Sequence, residues 1–407
     1  MARALLLVVA LLEVACAFPT GSRLHFEAMG EGLPGSGQWR DGFDLVDLDR
    51  DGHLDLVHGP PRAGGADLLL LRGDGAGGFA PWSGGGLPSG GFAYGDAAAG
   101  DFDGDGDLDI ALGQHLLELV VLEGDGAGEF GAAPLPAAAL AFSTRALESV
   151  DWDGDGRDEL LALGEGPRPA AGRGSRGLLL LDWVPVEGWR AFLESGAEGL
   201  PFGSSLAVGD VDGDGQPDAA TAAASLGRRD LLVLGDGEWG GTRRELTALS
   251  STGYVRAVTL ADFDGDGRDD LAASSIERAE GKWRTRLDVL LSRRGGAFAS
   301  SVVLRESGAA GLLALAAGDL DGDGHADLVA FDADGAPRIY LGVGGGRLAR
   351  ARATGLSGEG CAGRHVRISD LDGDGRGEIV ASFGEDPGVD PACRAGGSLR
   401  AWRLAAQ

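Results

Sequence analysis

A nine-residue acidic loop, Asp47-Leu-Asp-Arg-Asp-Gly-His-Leu-Asp55, recurs seven times along the chain and leaves few folds open to it. The further copies are Asp101–Asp109, Asp151–Glu159, Asp210–Asp218, Asp262–Asp270, Asp319–Asp327 and Asp370–Glu378. Their first aspartates are 54, 50, 59, 52, 57 and 51 residues apart, so the units share one size and tolerate insertions between elements. A period in this range signals a solenoid or a propeller.

The flanks of the loops read as strands. Before them, Phe43–Asp47, Leu147–Asp151, Leu206–Asp210, Val258–Asp262 and Val366–Asp370 carry apolar residues at alternate positions, as do Leu54–Val57, Asp327–Ala330 and Glu378–Ala381 after them. A third run follows in most units, for example Leu117–Leu122 or Leu287–Leu291, and a glycine-rich turn such as Gly73-Asp74-Gly75 precedes a weaker fourth. The expectation is an all-β chain: a seven-bladed β-propeller of four-stranded antiparallel blades over residues 18–407. The last unit stops one strand short, and Leu24–Ala28 is the expected substitute, an N-terminal strand joining the last blade and closing the ring.

Within the loop, positions one, three, five and nine are always carboxylates. They are Asp47, Asp49, Asp51 and Asp55 in the first copy, and Asp101, Asp103, Asp105 and Asp109 in the second. The third has Asp151, Asp153, Asp155 and Glu159, and the fourth Asp210, Asp212, Asp214 and Asp218. The fifth has Asp262, Asp264, Asp266 and Asp270, and the sixth Asp319, Asp321, Asp323 and Asp327. Asp370, Asp372, Asp374 and Glu378 complete the set. Four anions in so short a segment repel by several kcal/mol per close pair at intermediate dielectric, and a divalent cation removes the conflict. Hard oxygen ligands select calcium over zinc or copper, and up to seven Ca2+ are expected. The seventh position, occupied by His53, Asp107, Arg157, Gln216, Arg268, His325 and Arg376, is expected to coordinate through its carbonyl. Glycine at position six of every copy supplies the conformation a tight wrap needs.

The chain of 407 residues has a formal net charge of −28, with 63 acidic against 35 basic residues, which argues against nucleic-acid binding. Arg3, the apolar run Ala4–Leu12 and Ala15-Cys16-Ala17 have the layout of a secretory signal peptide, expected to span 1–17. No other run approaches the ~20 apolar residues of a membrane span. Beyond the leader two cysteines remain, Cys361 and Cys393, and the blade arrangement brings both to one rim. A disulfide is expected there, with two free thiols as the alternative.

The segment Phe202-Gly-Ser-Ser-Leu-Ala-Val-Gly-Asp-Val-Asp-Gly-Asp-Gly-Gln-Pro-Asp218 resembles the FG-GAP repeat of integrin α-subunit propellers and of the related bacterial VCBS-type repeat proteins. His58-Gly59-Pro60 is similar to the second half of that motif. The resemblance implies the propeller, calcium in the loop joining the first two strands of each blade, and an extracellular binding role.

No nucleophile and base stand in a catalytic pattern, and the paired carboxylates are committed to the loops. A ligand is expected on the face opposite the loops, where the connections Gly164–Gly177, Ser274–Arg286 and Gly384–Gly397 vary in length. Arg145, Arg256 and Arg364 stand six residues before their loops, in phase with the apolar column. They are expected to converge at the mouth of the axis and bind a carboxylate or sulfate; the alternative is that each pairs with local acids. Three function classes follow: an extracellular module binding glycan or protein, a purely structural surface protein, and a calcium-dependent, lyase-like polysaccharide enzyme.

Overall fold

The computed structural model describes residues 22–405, apart from 63–66, 84–85, 87–90, 167–174, 194–201, 223–230, 235–241, 246–252, 280, 295–296, 308–310, 386–392 and 394–396. The expected leader 1–17 lies outside the described residues, as do most of 164–177 and 384–397. The architecture is all-β, with one helical turn, Ala137–Leu140, among the described residues.

Each acidic loop connects the first two strands of an antiparallel sheet. In the first sheet Phe43–Val46 pairs with Asp55–His58, from Phe43 opposite His58 to Val46 opposite Asp55. The turn depends on left-handed backbone at positions four and six, where glycine meets no steric penalty. Arg50 alone replaces glycine at position four, at φ 57°, and its guanidinium reaches Asp107 of the next loop at 3.0 Å.

Five four-stranded sheets run in chain order. The remaining strands form one eight-stranded sheet, because Arg23–Met29 lies between the outer strands of the sixth and seventh units. Phe26–Met29 pairs antiparallel with residues 401–404, and Arg23–His25 pairs parallel with Arg352–Thr354. The N-terminal strand thus pairs with the last unit, as its sequence indicates, and also with the sixth. Residues 274–286, expected as a variable connection, instead continue two long strands, Asp270–Ala279 and Lys282–Arg293, paired from Ser274–Leu287 to Ala279–Lys282. Ser274, Ser275 and Ile276 are all buried in this extension, and Thr285, paired opposite Ile276, is buried as well.

Seven buried clusters each draw on two sheets. Val57, Leu70, Ala97 and Ile110 join the first and second; the series continues through the sixth and seventh. Phe43, Leu45 and Leu56 meet Leu371, Val380 and Leu399, joining the seventh to the first. Neighbouring residues of one strand serve opposite clusters: Leu160 and Ala162 face the second sheet, Leu161 and Leu163 the fourth. Position two of every loop, from Leu48 and Phe102 to Leu371, plugs the cluster shared with the following sheet. Each such side chain contributes about 1.5–3 kcal/mol by leaving water.

The Cys361 and Cys393 sulfurs are 2.02 Å apart, a disulfide that ties the start of the last sheet to the segment before its third strand. His58 is buried beside Phe43, with Trp39 edge-on to it at 4.9 Å, and half-buried His365 meets Phe43 edge-on at 5.0 Å. His58 Nδ1 lies 2.7 Å from the Gly59 carbonyl and donates to it. Burial lowers the His58 pKa from 6.5 to about 4 and also pulls His365 down.

Two outcomes follow. Phe26, 1% exposed, packs with Phe331, Phe383 and Trp402, so Phe26→Ala is expected to cost about 3–5 kcal/mol in urea unfolding. Exposed Glu27→Ala on the same strand should cost almost nothing. Between pH 6.5 and 4 the unfolded chain protonates His58 while the folded protein does not. Its contribution is therefore present above pH 6.5 and lost as pH falls toward 4, by on the order of 3 kcal/mol. The stability difference between the native protein and His58→Gln should change by that amount between pH 7 and 4.5.

Candidate metal centres and axial cavity

Every loop is organised by its own carboxylates. The position-one carboxylate accepts hydrogen bonds from the backbone N–H groups at positions four, five and six in five loops, as Asp262 does from Gly265, Asp266 and Gly267 at 2.7–3.1 Å. Position five accepts from the N–H of position seven in all seven, at 2.8–3.1 Å. The side chains of Arg157 and Arg268 at position seven pair with Asp155 and Asp266 of their own loops.

Position nine acts as a brace that the sequence pattern alone did not single out. Asp55, Asp109, Glu159, Asp218, Asp270, Asp327 and Glu378 are all buried. Each accepts the N–H of position two of its loop at 2.6–3.1 Å. In four copies the other oxygen accepts an N–H from the end of the third strand: Gly73, Gly124, Ser292 and Gly342. Burial, with a smaller push from neighbouring carboxylates, raises these acids to about 6 at Asp55 and Asp270, about 7 at Asp109, Asp327 and Glu378, and about 8 at Glu159.

Carboxylate oxygens from positions one, three and nine lie within 4.8 Å of one another in Asp47–Asp49–Asp55, Asp151–Asp153–Glu159, Asp210–Asp212–Asp218 and Asp262–Asp264–Asp270. In the second loop the group is Asp101, Asp103 and Asp105, and two further groups of this kind occur. Asp101 Oδ1, Asp264 Oδ1 and Asp321 Oδ1 are buried with no hydrogen-bond partner among the described residues. Anionic oxygens desolvated among like charges need a cation, so the residues present fit a hard divalent ion.

Consecutive loops are latched together in three pairs. The N–H groups of Asp158, Asp269 and Gly377, at position eight of the third, fifth and seventh loops, donate to the carbonyls of Asp101, Asp210 and Asp319 at 2.7–3.1 Å. In return Asp101 and Asp210 donate their N–H groups to the carboxylates of Asp158 and Asp269, at 3.2 and 2.9 Å. Glycine precedes the first loop of each latched pair, and a Cβ on Gly209 would lie 2.3 Å from the Asp269 carboxylate. The signal was present as Gly-Asp at the start of the second, fourth and sixth loops.

Residues on or just before the first strands of all seven units line one cavity of about 300 Å³. Arg145, Arg256 and Arg364 all border it, so the structure brings the three together. Arg145 also lies 3.6 Å from Asp41 and 3.9 Å from Glu165, and Arg364 donates to the Glu385 carbonyl at 2.9 Å. Local pairing therefore accompanies convergence for those two, whereas Arg256 is exposed and makes no ion pair or hydrogen bond among the described residues. Three residues nearer the loops, Arg367 crosses the cavity floor. It donates to the Phe43 carbonyl at 2.9 Å and lies 3.5 Å from Asp44 and 3.7 Å from Glu148. This floor was missed in the sequence, although Asp44, Glu148 and Arg367 share the position that Ala98, Ala207 and Ala316 fill in other copies.

The FG-GAP-like repeat family matches at residues 47–112, 210–273 and 319–381, so the chain carries FG-GAP-like repeats at three places. These segments contain six of the seven acidic loops. Among solved structures, the crystal structure of BP39L lectin from Burkholderia pseudomallei is similar with a TM-score of 0.61 and 16% identity, covering 91% of this chain and 97% of that chain. At that identity the likeness establishes a shared propeller-like fold. No curated protein matches the chain.

The brace can be tested apart from any metal. Asp327→Ala strips the acceptor from two buried N–H groups, Leu320 and Gly342, and with chelator present should cost roughly 2–5 kcal/mol. Asp323→Ala, in the same loop but exposed, should cost less than about 1 kcal/mol under those conditions. Equal losses in urea unfolding would remove the distinction.

Proposed function

We propose that the chain is a closed seven-bladed β-propeller, secreted, with Ca2+ in each acidic loop, that acts as an extracellular binding or adhesion module for glycan or protein. The observation that supports the ring is one cavity bordered by residues of all seven repeats, on or just before their first strands. The cluster between the seventh and first sheets supports it, since an open array would leave two terminal faces bare.

Calcium is favoured by the donor set: carboxylates at positions one, three, five and nine, with a backbone carbonyl at seven. Bound there, it would neutralise the clustered charge and fix the loops against the sheets. Magnesium, which gives up its water reluctantly, fits less well. The FG-GAP-like repeats and the fold shared with a lectin favour binding over catalysis. Secretion rests on the leader-like N-terminus and agrees with the Cys361–Cys393 bond. No helix among the described residues is long and apolar enough to cross a membrane.

Metal analysis of protein desalted from calcium buffer should find about seven calcium ions per chain, one for each loop. Exhaustive chelation should lower Tm by several degrees, with recovery on calcium re-addition and only part of it with magnesium. Metal-free protein with an unchanged Tm throughout would refute the calcium reading. Screening against arrayed glycans and extracellular proteins tests the module: saturable binding is expected, and none on either set would refute it.

A further inference from the structure

We infer that the central cavity is an end-on binding site for one terminal acidic sugar, whose carboxylate is held by Arg256 and Arg145 at the mouth opposite the acidic loops. The inference rests on the glycan-binding reading above and assigns it a site and a ligand class.

The lining reverses the charge of the chain. Five arginines, Arg40, Arg145, Arg256, Arg364 and Arg367, border the cavity against three carboxylates, Asp41, Asp96 and Glu148, in a protein with 63 acidic residues and 35 basic ones. Two of those acids are engaged already. Asp96 accepts the N–H groups of Ala97 and Leu147 at 3.0 and 2.9 Å, and Glu148 faces Arg367. Burial also raises the pKa of Asp41 and of Asp96 from the usual aspartate value.

Donors at the mouth are unmet. Arg40 Nε and Arg145 Nε are buried without a hydrogen-bond partner among the described residues. Arg145 stands 3.6 and 3.9 Å from its nearest acids, well beyond the roughly 2.7–2.9 Å of a charge-assisted bond. Arg256 has no acid partner among the described residues and sits at the same level, six residues before its loop. A planar carboxylate matches guanidinium forks in a way that a neutral hydroxyl does not.

The shape limits what enters. At about 300 Å³ the cavity is at the small end of ligand pockets, room for one sugar ring. Arg367 spans the cavity from the seventh unit to Asp44 of the first and Glu148 of the third, an obstacle in the path of any polymer threading along the axis. Entry is therefore by a chain end.

Titration calorimetry of the full chain with glucuronate, glucose and sodium sulfate provides the test. One glucuronate per chain is expected, weakened by salt, with glucose and sulfate each at least tenfold weaker. Arg256→Gln, at an exposed position, should lower glucuronate affinity at least tenfold at unchanged Tm, and Arg145→Gln should do likewise. Polygalacturonate should bind in proportion to its chain ends. Native affinity in both variants, equal binding of glucose or of bare sulfate, or polymer binding that scales with internal residues would each overturn the proposal. Arrayed glycans that bind both variants as they bind the native protein would leave the module standing and this site refuted, whereas absence of any ligand would remove the module itself.

Discussion

A carboxylate buried at the ninth position of each loop, with its charge turned toward backbone N–H groups, is the constraint on which the rest of the structure depends. It reaches the second residue of the loop in all seven copies and the third strand in four. Because position two is also the apolar plug for the next sheet, one acid fixes three things: the loop, the third strand and the seam between sheets. Desolvating an acid is costly, and the N–H groups repay part of that cost only while the whole arrangement holds. Loop geometry and core packing are thereby made mutually dependent.

The seams between sheets are not equivalent at the loop end. Where the second, fourth and sixth loops meet their successors, a backbone N–H and, twice, an aspartate oxygen cross the seam. At the intervening seams position eight is Leu54, Leu108, Pro217 or Ala326. Pro217 has no N–H to give, and Leu54, Leu108 and Ala326 turn into hydrophobic clusters instead. Latched and unlatched seams thus alternate along the chain from the first loop to the seventh, the seam between the seventh and first sheets being unlatched as well, and the first and second loops are linked differently, by Arg50 and Asp107. Loops joined through shared backbone atoms cannot reorganise independently, so any event that tightens one acts on its partner.

Much of this was legible in the sequence, because the loop pattern fixes the number of units and marks the strands on either side. The loops' ligand-like carboxylates, the strand Leu24–Ala28 and the cysteine pair could all be located beforehand. Period-two alternation served less well for the second strands: Asp109–Gln114 and Glu159–Gly164 are buried throughout. Each such sheet is covered on both faces, so consecutive residues are both apolar while serving different clusters. The brace was hidden for another reason. A ninth-position aspartate looks like its three neighbours in composition, and only its burial separates a hydrogen-bonded support from an exposed acid. The Arg367 floor depends on contacts between units more than 200 residues apart, as with Glu148, which no local pattern encodes.

The distribution of charge along the axis gives the two ends different roles. Arg145, Arg256 and Arg364 stand six residues before the loops, a distance of about 20 Å along an extended strand. Over that length the aqueous field of the acidic loops is screened at physiological salt, since two Debye lengths separate the ends. The arginine mouth is thus shielded from most of the chain's negative charge, and its own field acts on whatever approaches from that side. An anion is repelled by the loop face and drawn to the opposite opening, where low-dielectric walls focus the attraction. A cation is steered the other way. The same strands therefore carry opposite charge at their two ends, with Arg367 bridging to Asp44 and Glu148 between them.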